Sequence, residues 1–142
     1  MNMSAKKRVV IIADDDEDDR MLLQSAFQEN RADVDIAFAF DGADLMKILA
    51  DDKSKMQISF ILLDLNMPRK DGREALKEIK QHPILKKIPV IIFTTAKNES
   101  EIRKCYDLGA NTYIVKPDGF EALQEVVVNL SAYWLDTAAT SD

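Results

Sequence analysis

Apolar residues along the chain fall into two alternating kinds of stretch. Four short runs carry almost no charge: Val9, Val10, Ile11, Ile12 and Ala13; residues 58–63, ending Phe60-Ile61-Leu62-Leu63; Val90-Ile91-Ile92-Phe93; and Thr112-Tyr113-Ile114-Val115. A fifth stretch places Val34, Ile36, Phe38 and Phe40 at every second position. Continuous β-branched runs and strict alternation both predict strands. Between them apolar residues recur at spacings of three and four: Leu22, Leu23, Ala26 and Phe27, up to about Asn30; Leu45, Ile48 and Leu49; Ala75, Leu76 and Ile79; Ile102, Cys105 and Tyr106, within 99–108; and Phe120, Leu123, Val127, Leu130 and Trp134, in a helix running to about Thr137. That period predicts helices with one buried face. Breakers fall between the segments. Asp41-Gly42 ends the second strand, Pro83 closes the third helix, Pro89 opens the fourth strand and Gly109 stops the fourth helix. Residues 51–55 read as a charged loop.

Strands and helices alternate five times at a repeat of roughly 25 residues, the spacing of right-handed βαβ units. The expectation is an α/β fold, one parallel sheet with helices on both faces. It forms a single domain over residues 1–142, with a core at about 7–137 and loose tails at 1–5 and 138–142. In the doubly wound order 2-1-3-4-5, strands one and three are neighbours at the switch point, where ligands of such sheets gather outside the carboxyl ends.

Composition narrows the function classes. With 46% hydrophobic and 31% charged residues, 142 residues suffice for one good core. The net charge of −6 disfavours nucleic acid or an anionic membrane as a partner. A single cysteine, Cys105, cannot form an internal disulfide and fits a reducing cytoplasm. No segment approaches the ~20 apolar residues of a bilayer span. The apolar run after Lys6-Lys7-Arg8 is too short for a signal sequence.

The strand ends carry the candidate chemistry. Strand one delivers Asp14, Asp15 and Asp16, opening six consecutive acids; strand three delivers Asp64; strand four Thr94 and Thr95; strand five Lys116. In a parallel sheet all lie on one edge. Carboxylates at close range must be protonated or neutralised by a cation, and an all-oxygen, part-solvated donor set favours Mg²⁺. The acidic loop has no glycine and argues against direct cradling of a nucleotide phosphate. With a metal, Asp64 can act as a nucleophile toward phosphorus, Asp15 and Asp64 as metal ligands, and Thr94 and Lys116 as holders of the transferred oxygens.

Four pieces, Ala13-Asp14-Asp15-Asp16, Leu63-Asp64-Leu65-Asn66-Met67-Pro68 with Asp71-Gly72, Pro89-Val90-Ile91-Ile92-Phe93-Thr94 and Tyr113-Ile114-Val115-Lys116-Pro117, occur in one order. Together they resemble the receiver domain of two-component response regulators, from about residue 7 to 132. The resemblance implies a flavodoxin-like (βα)5 fold. It also implies that Asp64 accepts a phosphoryl group from a phosphohistidine of a sensor histidine kinase. Asp14 and Asp15 would hold Mg²⁺ with Asp64 and the backbone carbonyl of Asn66. Thr94 and Tyr113 would form a coupled switch pair, and the Lys116–Pro117 bond is a candidate for cis. The acidic run extends past the family's usual pair, and Thr95 stands where a smaller residue is common. The acidic run, the Asn-Met-Pro-Arg-Lys-Asp-Gly stretch after Asp64 and the extended last helix are similar to regulators that partner phytochrome-type kinases.

Each feature also has a plainer reading. An acidic run suits the first turn of a helix, and Asp64 alone could be a turn residue or cap. His82, before Pro83, reads as a surface residue, and Cys105 as packing. The last helix carries more apolar surface than one sheet face needs, with Val126 and Tyr133 flanking its stripe and Val128 further round. It either packs as a terminal helix or builds a homodimer with the helix-four and strand-five face. Three functions compete: a phosphorylation switch whose output is a protein contact and which is not an enzyme; a phosphorylation-independent interaction domain; and a haloacid-dehalogenase-type phosphatase. The last lacks its general acid, because Asn66 stands two residues after Asp64.

Overall fold

The computed structural model describes residues 7–51 and 56–139. The proposed tail at 1–5, most of the charged loop at 51–55 and the last three residues lie outside the described residues. Five strands, β1 (Lys7–Ala13), β2 (Asp35–Ala39), β3 (Met56–Leu63), β4 (Val90–Thr94) and β5 (Thr112–Val115), form one parallel sheet in the order β2-β1-β3-β4-β5. The helices are α1 (Glu17–Asn30), α2 (Gly42–Ala50), α3 (Gly72–Gln81), α4 (Glu99–Asp107) and α5 (Phe120–Ser131). The doubly wound α/β expectation holds, with its switch point between β1 and β3.

Alternating side chains of the central strands feed two cores. Ile11, Ala13, Ile61, Leu63, Val90 and Ile92 pack with Leu45 and Leu49 of α2, Leu76 and Ile79 of α3 and Cys105 of α4. Val10, Ile12, Phe60, Leu62, Ile91 and Phe93 pack with Leu23, Ala26 and Phe27 of α1 and Leu123, Val127 and Leu130 of α5. Burial on both faces is why β1, β3 and β4 read as unbroken apolar runs.

Three helices start on an aspartate that accepts from their own first-turn amides: Asp16 for α1, Asp41 for α2 and Asp71 for α3. Each such cap is worth about 1 kcal/mol and fixes where the strand-to-helix loop ends.

Several edges differ from the sequence reading. Phe40 leaves β2 and lies 53% exposed under the Arg20 guanidinium, 4.5 Å from the ring centre. A cation over its face thus substitutes for core burial. Tyr106 is 47% exposed, because α4 turns only Cys105 fully inward and Tyr106 lies along the end of β5. Leu22 is also exposed, since Leu23, Ala26 and Phe27 already fill the α1 face. The last helix changes register: α5 gives way to a π-helical turn over Ala132–Thr137. There Leu135 is buried, its carbonyl accepts from Arg8, and Asp136 pairs with Arg31 at the end of α1. A short 3₁₀ turn, Leu85–Lys87, follows α3; His82 is exposed and its Nδ1 accepts from the amides of Ile84 and Leu85.

Candidate functional site

The site begins with two neighbouring strands ending at one level. The Asp14 amide donates to the Ala39 carbonyl of β2, and the Asp64 amide donates to the Ala13 carbonyl of β1. Asp14 and Asp64 therefore leave the sheet side by side. Both are buried, at 1% and 6% exposure, and Asp15 is exposed between them and solvent. One carboxylate oxygen from each of the three lies within 4.8 Å of the other two.

The acidic run divides into separate tasks. Asp14 Oδ1 accepts from the Asp16 amide, which folds the loop back on itself. Asp16 Oδ1 accepts from the amides of Asp18 and Asp19 and caps α1, so Asp16 is a cap. Glu17 and Asp18 are exposed in the first turn, where the helix dipole favours them. Asp19 turns to Lys116.

Lys116 follows β5, and its amide donates to the Thr94 carbonyl at 2.8 Å, holding the β4 and β5 ends together. Its ammonium donates to Asp19 at 2.6 Å, Asp14 at 2.9 Å and Asp64 at 3.2 Å. Burial pushes the Asp14 carboxyl up to about 6, against the opposing Lys116 hydrogen bond. For Lys116 burial also works against the charge, but the bonds to Asp14 and Asp19 outweigh it and hold the ammonium above the ordinary lysine range. One lysine thus faces four carboxylates, an excess of negative charge open to solvent at Asp15. That all-oxygen set fits a hard divalent cation of the Mg²⁺ type. Thr94 is fully buried, and its hydroxyl has no hydrogen-bond partner among the described residues. A buried orphan hydroxyl costs about 1–3 kcal/mol unless something fills its need.

The loop after Asp64 is braced from two sides. The Gly72 amide donates to the Leu65 carbonyl, and a Cβ on Gly72 would lie 2.1 Å from the Asp64 carbonyl oxygen, so only glycine fits. Asp64 Oδ1 accepts from the Asn66 amide at 3.3 Å. Arg69 adopts φ 64°, strained for a non-glycine residue, and its side chain reaches Asp41 at 2.7 Å.

Comparison with known proteins decides what this arrangement belongs to. Residues 10–128 match the family model for the response regulator receiver domain. The chain belongs to the response regulator receiver domain family. Receiver domains are signalling domains and not enzymes. The chain is 37% identical over 119 residues to response regulator Rcp1 of Synechocystis sp., covering 82% of this chain and 81% of that protein. Two solved structures share its fold closely. The phosphorylated cyanobacterial phytochrome response regulator RcpA has a TM-score of 0.87 and 35% identity over 97% of this chain and 100% of that one. The Mn²⁺-bound form of Rcp1 has a TM-score of 0.84 and 34% identity over 94% and 99%.

Within the receiver fold, Tyr113 sits half-buried against the core, its hydroxyl donating to the Ala96 carbonyl at 2.6 Å just past Thr94. Its amide donates to the Tyr106 hydroxyl. The Lys116–Pro117 bond is not cis, against expectation; no cis peptide occurs among the described residues. The trans chain already delivers the ammonium to Asp64, with the Lys116 amide anchored on Thr94. Cys105 is fully buried and burial raises its thiol to about 11, which suits packing.

The structure brings Asp14, Asp15, Asp64 and Lys116 into one cluster, with Thr94 buried at the end of the neighbouring β4. Asn66 is exposed beside it. Sequence reasoning missed Asp19. It belongs to the acidic run, but nothing local shows that a lysine 97 positions away reaches it.

Proposed function

We propose that this chain is a phosphorylation switch in which Asp64 takes a phosphoryl group from a phosphohistidine of a sensor histidine kinase. An Asp64 carboxylate oxygen forms the new bond to phosphorus, the phosphorus–nitrogen bond breaks, and the electron pair remains on the departing imidazole. Mg²⁺ held by Asp14, Asp15, Asp64 and the Asn66 backbone carbonyl would neutralise charge building on the phosphoryl oxygens. Lys116, already bonded to Asp64, would pass one hydrogen bond to a phosphoryl oxygen, and the Thr94 hydroxyl would donate a second. With Thr94 so engaged, the inward Tyr113 would be held against the β4–α4 loop, changing the surface offered to a downstream protein.

The observation that carries this reading is the convergence of three carboxylates within 4.8 Å beside one part-buried ammonium. The unpartnered Thr94 hydroxyl and the metal-bound and phosphorylated states named for the relatives support it. A phytochrome-type kinase as donor, in the cytoplasm, is supported by the likeness to RcpA. Incubation with Mg²⁺ and acetyl phosphate should add one phosphoryl mass to the intact protein and none to Asp64→Asn. Steady phosphate release from small esters without an adduct would favour a phosphatase. No metal-dependent adduct at all would favour a phosphorylation-independent scaffold.

The reading extends to a homodimer through α4, β5 and α5, where Tyr106, Val115 and Val128 lie exposed, with Tyr133 in the turn that follows. Light scattering that shows a monomer at high concentration, with and without phosphorylation, would remove the dimer.

A further inference from the structure

We infer that Asp19 is the positioning residue for Lys116, holding its ammonium toward α1 so that Asp14 and Asp64 stay available to a metal. The inference rests on the phosphoacceptor reading above. An ammonium has three donors, and all three of Lys116 are used, on Asp19, Asp14 and Asp64. The shortest of those bonds goes to Asp19, the one partner outside the trio whose oxygens converge within 4.8 Å.

Asp19 is itself held in place. Its amide donates to the Asp16 cap at 3.2 Å, and α1 is fixed to the sheet by Leu23, Ala26 and Phe27, packed with Leu123 and Val127 of α5. Lys116 is fixed at its other end by the hydrogen bond its amide donates to the Thr94 carbonyl, and its side chain is only 11% exposed. The ammonium thus hangs between two rigid elements, with few alternative positions.

Two of its three partners have a competing use. A divalent cation claims Asp14 and Asp64, and a phosphoryl group on Asp64 claims that bond for itself. Without Asp19, the full charge of Lys116 would settle on Asp14 and Asp64 and compete with the cation for the same oxygens. With Asp19, the ammonium keeps one partner that neither the metal nor the phosphoryl group takes. It can then leave Asp64 for a phosphoryl oxygen while remaining tethered.

The test is a double-mutant cycle on the full chain with Asp19→Asn, Lys116→Met and the pair. Mg²⁺ binding is measured first by titration calorimetry with no phosphodonor, then the rate of phosphoryl mass gain with acetyl phosphate. Asp19→Asn is expected to weaken Mg²⁺ binding roughly tenfold, the low end for residues acting through a ligand's partner, and to slow the mass gain. In the Lys116→Met background the same substitution should change Mg²⁺ affinity by about twofold at most. Equal loss in both backgrounds would overturn the inference, since Asp19 would then act by its own charge or through α1. Unchanged Mg²⁺ affinity in Asp19→Asn would overturn it too. If the calorimetric coupling occurs but the wild type gains no phosphoryl mass, the phosphoacceptor reading fails while the tie between Asp19 and Lys116 stands.

Discussion

Replacing Asp14 by asparagine should stabilise the metal-free protein even though it dismantles the candidate metal site. Asp14 is 1% exposed, and burial raises its carboxyl from 3.8 to about 6 although Lys116 and the Asp16 amide both bond to it. Ionising it near neutral pH therefore costs the folded state about 3 kcal/mol relative to the unfolded chain, at ~1.4 kcal/mol per pH unit. Asparagine keeps an acceptor for the Asp16 amide and carries no charge, and the bond from Lys116 that it gives up is already counted in the raised value. Lys116 retains Asp19 and Asp64. The net expectation is a gain of up to about 3 kcal/mol above pH 6. The sign of the pH dependence follows from the raised value. Between the unfolded and folded pKa the native state binds the extra proton, so this contribution to wild-type stability falls as pH rises from 3.8 to about 6 and is flat above. The advantage of Asp14→Asn should shrink toward the acid end of that window. Urea unfolding in chelator, at a pH above 6 and again near 4, reads both effects. Saturating Mg²⁺ should reverse the order, since it stabilises only the protein that binds it. A metal-free Asp14→Asn protein less stable than wild type at neutral pH, or equally favoured at both pH values, would refute the reasoning.

Three further outcomes follow from single contacts. Gly72→Ala should cost several kcal/mol and abolish phosphoryl uptake, since its Cβ would meet the Asp64 carbonyl oxygen at 2.1 Å; denaturant unfolding and intact mass report the two losses. Ser131→Ala should be neutral or stabilising by up to about 1 kcal/mol, because the buried Ser131 hydroxyl has no partner, and a loss beyond that in a thermal melt would contradict it. Cys105 should resist alkylation in the native protein and react on unfolding, since it is fully buried and its thiol is raised to about 11; fast native labelling, followed by mass, would count against that burial.

The fold was largely legible because β1, β3 and β4 are buried on both faces and use apolar runs that helices of this length do not. The helices themselves were legible from their three- and four-residue apolar spacing, whereas the aspartate caps at Asp16, Asp41 and Asp71 emerge only in the structure. What escaped was set by tertiary contact. Phe40 alternates with Phe38 in the sequence, yet which of the two is covered depends on Arg20 reaching it from α1. Tyr106 shares the period of Cys105, but α4 buries a narrower stripe than its apolar residues suggest. The π-helical turn at Ala132–Thr137 follows where Leu135 and Asp136 must land on Arg8 and Arg31, more than 100 residues away.

That the candidate residues lie together was legible; how they are wired was not. Position after a strand identifies Asp14, Asp64, Thr94 and Lys116 as neighbours in any sheet of this order, whatever their side chains touch. The charge balance is different, because it depends on distances. Six acids in a row suggest repulsion as a whole, yet they act at three depths: Asp14 inside, Asp15 at the mouth, and Asp16 and Asp19 turned to the helix cap and to the lysine. The cluster is tolerable because one part-buried cation is shared among three of its carboxylates. Under the proposed switch it would stay reactive because that sharing leaves Lys116 only a 3.2 Å bond to Asp64. A site that neutralised Asp64 fully would be more stable and would have less reason to take a metal or a phosphoryl group. The long third bond and the unsatisfied Thr94 hydroxyl are two marks of one property, a site stabilised incompletely at the position where the proposed switch would bring a ligand.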